Sequence, residues 1–177
     1  MKNSLLALLL TICTLTPFAS MAEKGAPTLA LTEAVNLFIK VASNKALSIE
    51  EKTSRITEIV KEKIDLPVVS QRVVSRYWKK ASKEEKKEFI ALFTQVIVNT
   101  YANLLKEFNN EKVEYLKEEI KKGKYARVNT NIVLSDKKIP VNYKLLLRKD
   151  QWRIYDFSAE GISLISTYKN DYKSTLK

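Results

Sequence analysis

Residues 112–158 read KVEYLKEEIKKGKYARVNTNIVLSDKKIPVNYKLLLRKDQWRIYDFS, and apolar and polar side chains alternate along them. Alternation with a period of two is typical of β-strands that bury one face. The connections around Gly123, Asp136 and Asp150 are short, whereas parallel neighbours would need long crossovers. The sequence therefore predicts an antiparallel meander. We predict its strands at Lys112–Glu119, Tyr125–Ser135, Ile139–Arg148 and Gln151–Ser158.

The residues before this meander repeat with helical periodicity. Ser48 and Ser82 each stand three residues before a Glu, which is the capping-box pattern at a helix start. Asp65 is suited to cap another helix that has Pro67 in its first turn. In residues 89–108 the spacing predicts a long helix with a broad apolar face. That face is formed by Phe89, Leu92, Phe93, Val96, Ile97, Thr100, Tyr101, Leu104, Leu105 and Phe108.

Beyond the last strand, Gly161 interrupts the alternation, as a residue that can adopt backbone conformations other residues resist. A closing helix is predicted from the spacing of Ile162, Ile165, Tyr168 and Tyr172. Helices gathered before an antiparallel sheet pack against one of its faces. We therefore predict an α+β fold with N-terminal helices on one face of a sheet of four or more strands.

The N-terminus has the pattern of a secretory signal peptide. A short positive start is followed by a mostly apolar stretch, residues 4–18, and by small residues before a cleavage site at Ala22. We expect residues 1–22 to be the signal and 23–177 to form one domain. An uncleaved anchor is the alternative, and the bulky residue before Cys13 argues against a lipoprotein. So compact a signal favours the bacterial periplasm.

Composition excludes several kinds of catalytic site. The chain has 177 residues, no histidine and one cysteine. A Ser-His-Asp triad, a Cys-His pair, a His-containing zinc site and an internal disulfide are therefore impossible. Asp156 and Glu160 could act as paired acid–base carboxylates. We favour a structural role for them, capping a helix near Gly161 or pairing with Arg, and expect no cofactor and no metal.

The chain is basic, with 31 Lys and Arg against 20 Asp and Glu, for a net charge of +11. The basic clusters are scattered along the sequence rather than interleaved with aromatic residues, so we expect no nucleic-acid partner. We expect most of these Lys and Arg residues to lie on a solvated surface. The functional interpretation is attraction to anionic headgroups or to acidic docking surfaces.

Two segments together resemble a known family. The first is residues 65–82, DLPVVSQRVVSRYWKKAS, which continues into the helix at 89–105, and the second is residues 152–168, WRIYDFSAEGISLISTY. They are similar to the MlaC family, also called toluene-tolerance auxiliary proteins, over roughly Leu29–Leu176. The W-x-x-Y-D-x-x-x-E-G-[IV]-S-[LM] pattern is long and specific. Its residues here, for which we expect a structural role, are Trp152, Tyr155, Asp156, Glu160 and Gly161.

The resemblance implies a periplasmic carrier rather than an enzyme. Acyl chains of a glycerophospholipid would lie in an apolar cavity between the helices and a twisted sheet, with the phosphate headgroup at the mouth. The partners implied are an inner-membrane ABC-type lipid transporter complex and an outer-membrane lipoprotein–porin complex, so that the carrier maintains outer-membrane lipid asymmetry. We expect a monomer. A hopanoid-type lipid is the alternative cargo.

Specific lipid contacts follow only from the resemblance, because the same apolar residues would fill the core of any α+β domain. Tyr101 is the strongest of them, since it offers area and a hydroxyl on an apolar face. The alternative function is a small isomerase-like or hydrolase-like enzyme for an apolar molecule, using Asp156, Glu160 or Tyr143. The pocket candidates are Val74, Trp78, Phe93, Ile97, Tyr101, Leu104, Val141, Tyr143, Leu145, Leu147, Ile162 and Ile165.

Overall fold

The computed structural model describes residues 26–102, 111–173 and 175–176, without the side chains of residues 101 and 102. The predicted signal peptide, Leu104 and the side chain of Tyr101 therefore lie outside the described residues. The helices α1 (Ala26–Ala42), α2 (Ile49–Lys63), α3 (Leu66–Val74), a 3₁₀ helix (Ser75–Lys79) and α4 (Lys83–Ala102) come first. They are followed by β1 (Lys112–Lys121), β2 (Tyr125–Val133), β3 (Lys138–Arg148), β4 (Gln151–Ala159), β5 (Ile162–Ser163) and α5 (Leu164–Lys173).

The strands form one sheet in which neighbours in sequence are neighbours in space, and every pair is antiparallel. The predicted α+β fold and meander are confirmed, with strand ends within two residues of those expected. A short fifth strand was not predicted. It takes Ile162 out of the closing helix, which begins only at Leu164. No helix in the described part of the chain is long and apolar enough to cross a bilayer.

Both capping boxes form as predicted. Ser48 accepts the backbone N–H of Glu51 at 3.1 Å, and the Glu51 carboxylate accepts the N–H of Ser48 at 2.8 Å. Ser82 and Glu85 repeat the arrangement at 3.1 and 2.7 Å. Since these bonds favour the ionised carboxylate, they lower the pKa of Glu51 and of Glu85.

Asp65 fastens the helices to the sheet. Its carboxylate caps α3 by accepting the N–H of Val68 at 3.2 Å, as predicted. The same carboxylate pairs with Arg148 of β3 at 3.1 Å, which the sequence did not indicate. The backbone N–H of Asp65 donates to the carbonyl of Ile154 at 2.7 Å, next to a parallel bridge between Ile64 and Ile154. The start of α3 is thereby held at the free edge of β4.

The buried face of α4 differs from the prediction. Leu92 and Val96, expected to point inward, are 54% and 39% exposed. Phe93 and Ile97 are buried as expected, and Val98 is buried with them. The helix contacts α2 as well as α3, and its buried residues are Phe93, Thr94, Ile97 and Val98 rather than Leu92 and Val96.

Candidate functional site

The larger apolar layer lies between the sheet and helices α3, α4 and α5, and we call it the helix-side layer. Among the predicted pocket residues, Val74, Phe93 and Ile97 are buried in it, and Trp78 and Ile165 pack against it. Its buried members are Leu66, Val69, Val73, Val74, Phe93, Ile97, Tyr155 and Leu164. A partly open space of about 10 Å³ lies within it, lined by Ile64, Val69, Ile97, Ile154, Tyr155, Asp156, Phe157 and Leu164.

Aromatic rings hold α5 against α4 on the outer side of this layer. The ring of Phe93 stacks on Phe89 at 5.4 Å between centroids and meets the edge of Tyr168 at 5.0 Å. Tyr172 meets Phe89 and Phe93 at 6.0 and 6.2 Å, and its burial raises the pKa of its phenol. The Tyr168 hydroxyl lies 3.1 Å from that of Thr100. These contacts make α5 a cover over the helix-side layer.

A second apolar layer lies under α1, and we call it the α1 layer. Leu145 is fully buried in it, and Tyr143 and Trp152 pack against it. Its buried members are Leu31, Ala34, Ala126, Val128, Leu145 and Ile154. Burial raises the pKa of Tyr143 to about 12. Its phenol is therefore protonated at neutral pH and is not a ready base, which gives no support to the enzymatic role considered for it.

The remaining pocket candidates are dispersed. One face of β3 carries Val141, Tyr143, Leu145 and Leu147, as predicted. The strand pairs with β2 without a bulge, so alternate residues point to the same side. Leu147 is half-buried opposite Trp152, and Val141 is buried but belongs to neither of the two layers. Ile162 is 70% exposed in β5, so it lines no apolar interior.

Asp156 is the most constrained polar residue of the W-x-x-Y-D motif. It is 3% exposed and caps α5 by accepting the N–H of Ile165 at 3.2 Å. The Ser163 hydroxyl donates to it at 2.9 Å, and Lys144 pairs with it at 2.8 Å. Of the two predicted alternatives, the helix cap is the one that forms, and the basic partner is Lys144 rather than an Arg, because the strand register sets Lys144 opposite Asp156. A carboxylate engaged in this way is a structural anchor.

The turn after β4 accounts for the rest of the motif. Gly161 has a φ of 85°, which confirms the expected unusual backbone conformation. Glu160 is exposed, and its backbone N–H donates to the carbonyl of Pro140 at 3.1 Å. The exposed Glu160 and the buried Asp156 are in unlike environments, so the geometry does not favour a pair of acid–base carboxylates.

Sequence reasoning missed a cleft of about 80 Å³ on the polar face of the sheet, which we call the cationic cleft. Its lining residues are Glu119, Lys121, Tyr125, Ala126, Arg127, Lys144 and Tyr155. The register aligns Glu119, Arg127, Lys144 and Asp156 in one row across β1 to β4. The strand register, with the extra residue in β4 between Ile154 and Asp156, brings these four residues together on one face, and no pattern within a single strand indicates it.

Two tyrosines form an aromatic wall at the cationic cleft. The rings of Tyr125 and Tyr155 meet edge to face at 6.4 Å. The Arg72 guanidinium lies 4.3 Å from the centre of the Tyr155 ring, and the Lys124 ammonium lies 5.6 Å from that of Tyr125. Such cation–π contacts keep positive charge beside the rings. No cluster of acidic or Cys residues that could hold a metal is found in the ranges that the structure describes.

Comparisons with known proteins agree with this geometry. A curated relative is the intermembrane phospholipid transport system binding protein MlaC of Haemophilus influenzae, 25% identical over an alignment of 161 residues that covers 85% of this chain and 75% of the relative. The solved structure of a phospholipid-binding protein from Ralstonia solanacearum, in complex with a phospholipid, has the same fold. The TM-score is 0.74 at 19% identity, over 84% of this chain and 86% of that one. The family described as MlaC protein matches residues 32–177, and the chain belongs to that family.

Proposed function

We propose that the chain is a carrier that binds one glycerophospholipid and moves it between two membranes. The helix-side layer carries the proposal, because it is an apolar interior, bounded by three helices and the sheet, that already holds a small space. The relative from Haemophilus influenzae is named for intermembrane phospholipid transport. Burying each CH₂ of an acyl chain is favourable by about 0.8 kcal/mol, so such an interior can hold a lipid without any chemical step.

Binding requires the helix-side layer to open. A space of about 10 Å³ holds about one water molecule, not an acyl chain. The covering helix α5 is attached to α4 by aromatic contacts and to β4 through the Asp156 cap. We therefore infer that α5 moves away from β4 to admit the acyl chains, while Asp65 keeps the start of α3 at β4 and the meander keeps its register.

The setting follows from the same proposal. An exported chain, cleaved after Ala22, would work in the periplasm and exchange lipid with an inner-membrane transporter complex and an outer-membrane lipoprotein–porin complex. Asp156 caps α5, and Tyr143 is a buried, protonated phenol. Neither environment is that of a catalytic group, which supports a carrier that leaves the lipid unchanged. Lipid recovered from purified protein should therefore be chemically intact, with the same acyl chains and headgroup as the lipid supplied.

The test fills the space inside the helix-side layer. Val69→Phe enlarges a buried residue that lines it, and Val69→Leu is a milder version. Overpacking costs about 1–3 kcal/mol, so we expect Val69→Phe to bind phospholipid about tenfold more weakly and Val69→Leu to lie between it and the wild type. Leu92→Phe, on the exposed face of α4, is the control.

The measurement is loading of delipidated protein from dioleoylphosphatidylglycerol vesicles, read by native mass spectrometry. Thermal unfolding of each variant shows whether it is folded at the loading temperature. Wild-type protein that repeatedly takes up no lipid would refute the carrier function. Normal loading of both Val69 variants would show that the lipid lies elsewhere than in the helix-side layer.

A further inference from the structure

Two of the cationic side chains that line the cleft, Lys121 and Arg127, differ from the third, Lys144, in how they are paired. Lys144 forms an ion pair with Asp156 at 2.8 Å, and Glu119 forms one with Lys117 at 2.8 Å. Within the described residues, Lys121 and Arg127 form no ion pair within 4.0 Å. The hydrogen bond and the charge of Lys117 lower the pKa of Glu119, and the charges of Lys121 and Arg127 lower it further. Lys121 and Arg127 therefore act on Glu119 only through their charge, and in the described part of the chain neither is held in a close ion pair that an external anion would have to break.

The position of the cationic cleft matters as much as its charge. Tyr155 lines both the cleft and the small space inside the helix-side layer. It is 8% exposed, and it is the residue that the linings of the cationic cleft and of this space share. The Arg72 guanidinium lies over that ring from α3. The apolar interior and the cationic cleft thus meet at Tyr155. A phospholipid likewise joins apolar acyl chains to an anionic phosphate group.

We propose that the cationic cleft binds the phosphate group of the lipid whose acyl chains occupy the helix-side layer. Arg127 and Lys121 donate to the phosphate oxygens, and Tyr155 lies at the boundary between headgroup and chains. Arginine suits this task because its planar guanidinium can bond two phosphate oxygens at once. A cleft of about 80 Å³ has room for a group of several atoms. The inference rests on the carrier function proposed above.

The structural alternative is that these charges only stabilise the sheet through cross-strand pairs. The two roles differ in what they do to lipid preference. A phosphate site discriminates between phospholipid and diacylglycerol with identical acyl chains. A sheet-stabilising row affects the binding of both lipids equally, because it acts through the fold.

The experiment compares two double variants of equal charge. Lys121→Gln with Arg127→Gln removes two cations of the cleft. Lys112→Gln with Arg55→Gln, at the other end of β1 and on α2, removes two exposed cations elsewhere. Each protein is delipidated and titrated with dioleoylphosphatidylglycerol and with dioleoylglycerol. We expect the cleft variant to bind the phospholipid about tenfold more weakly, as loss of a hydrogen bond to a charged group predicts. Its binding of dioleoylglycerol, and both affinities of the control, should be unchanged.

The outcomes separate the two proposals. Wild-type protein that binds neither lipid refutes the carrier function and this inference with it. A cleft variant that keeps its phospholipid affinity, or that loses both lipids equally, overturns the phosphate site and leaves the carrier standing. A third arm titrates inorganic phosphate against delipidated wild-type protein, followed by the NMR signals of the Arg127 side chain. If inorganic phosphate binds there and bound phospholipid does not displace it, the cleft takes free phosphate and the lipid inference is wrong.

Discussion

Replacing Asp156 by Ala should separate α5 from the sheet. The substitution removes a cap acceptor from α5, a hydrogen-bond partner from the Ser163 hydroxyl and an ion-pair partner from Lys144. A lost cap costs about 1 kcal/mol. A lost buried pair costs about 3–5 kcal/mol, but Lys144 is 37% exposed and can turn to water, so about 2 kcal/mol is appropriate here. We expect the free energy of unfolding to fall by about 3 kcal/mol.

A conservative substitution separates the contribution of the ion pair from that of the helix cap. Asp156→Asn keeps an oxygen that can accept the N–H of Ile165 and loses only the charge, so it should cost about 2 kcal/mol. The control is Glu114→Gln, which breaks a Lys138 pair of the same 2.8 Å length between side chains that are 55% and 41% exposed. Exposed pairs contribute at most about 1 kcal/mol.

The assay is urea unfolding followed by circular dichroism, with thermal unfolding as a second measure. For a domain of this size, about 3 kcal/mol corresponds to a fall in the melting temperature of roughly 6–12 °C. A loss for Asp156→Ala no larger than that for Glu114→Gln would refute the reasoning, because it would mean that burial does not strengthen the Lys144 pair and that the cap is dispensable.

Two further predictions concern the apolar layers. Phe93→Ala should cost about 3–5 kcal/mol in urea unfolding, since Phe93 is 1% exposed, whereas Leu92→Ala should cost under about 1 kcal/mol; equal losses would contradict the orientation of α4. For Tyr143 the folded pKa of about 12 lies above the unfolded value of 10, so its stabilising contribution is complete below pH 10 and is lost as the pH rises toward 12. Between pH 9 and 11 the free energy of unfolding of the wild type should therefore fall by about 1 kcal/mol more than that of Tyr143→Phe. If the two proteins lose stability in parallel over this pH range, the phenol is not buried.

Local features of the fold could be predicted from the sequence because short-range chemistry determines them. Ser48 and Glu51 form their cap within one turn of helix, and Gly161 takes its positive φ within one turn of chain. The orientation of α4 is a different case. Apolar residues occur nearly all around this helix, so its own periodicity does not distinguish Leu92 from Val98. The elements packed around α4 decide which of the two is buried, and no pattern within α4 contains that information.

The cationic cleft could not be predicted for a related reason. Glu119, Arg127 and Lys144 come from three strands, and they form a row only because β1, β2 and β3 pair in one particular register. A slip of one residue would send each of these side chains to the opposite face of the sheet. In the sequence they are three members of a scattered excess of charge, and a solvated surface was a fair interpretation of each taken alone.

The bulge in β4 explains why three consecutive residues of the W-x-x-Y-D motif have three different roles. Leu145 pairs with Ile154 and Lys144 with Asp156, so Tyr155 is the extra residue between them. Ile154 belongs to the α1 layer, Tyr155 to the helix-side layer, and Asp156 to the cap of α5. In a regular strand Ile154 and Asp156 would share one face, and Tyr155 would point to the other. The extra residue allows one short segment to contact both apolar layers, the cationic cleft and the covering helix, so movement of α5 that admits a lipid would begin at the residues that border the proposed phosphate site.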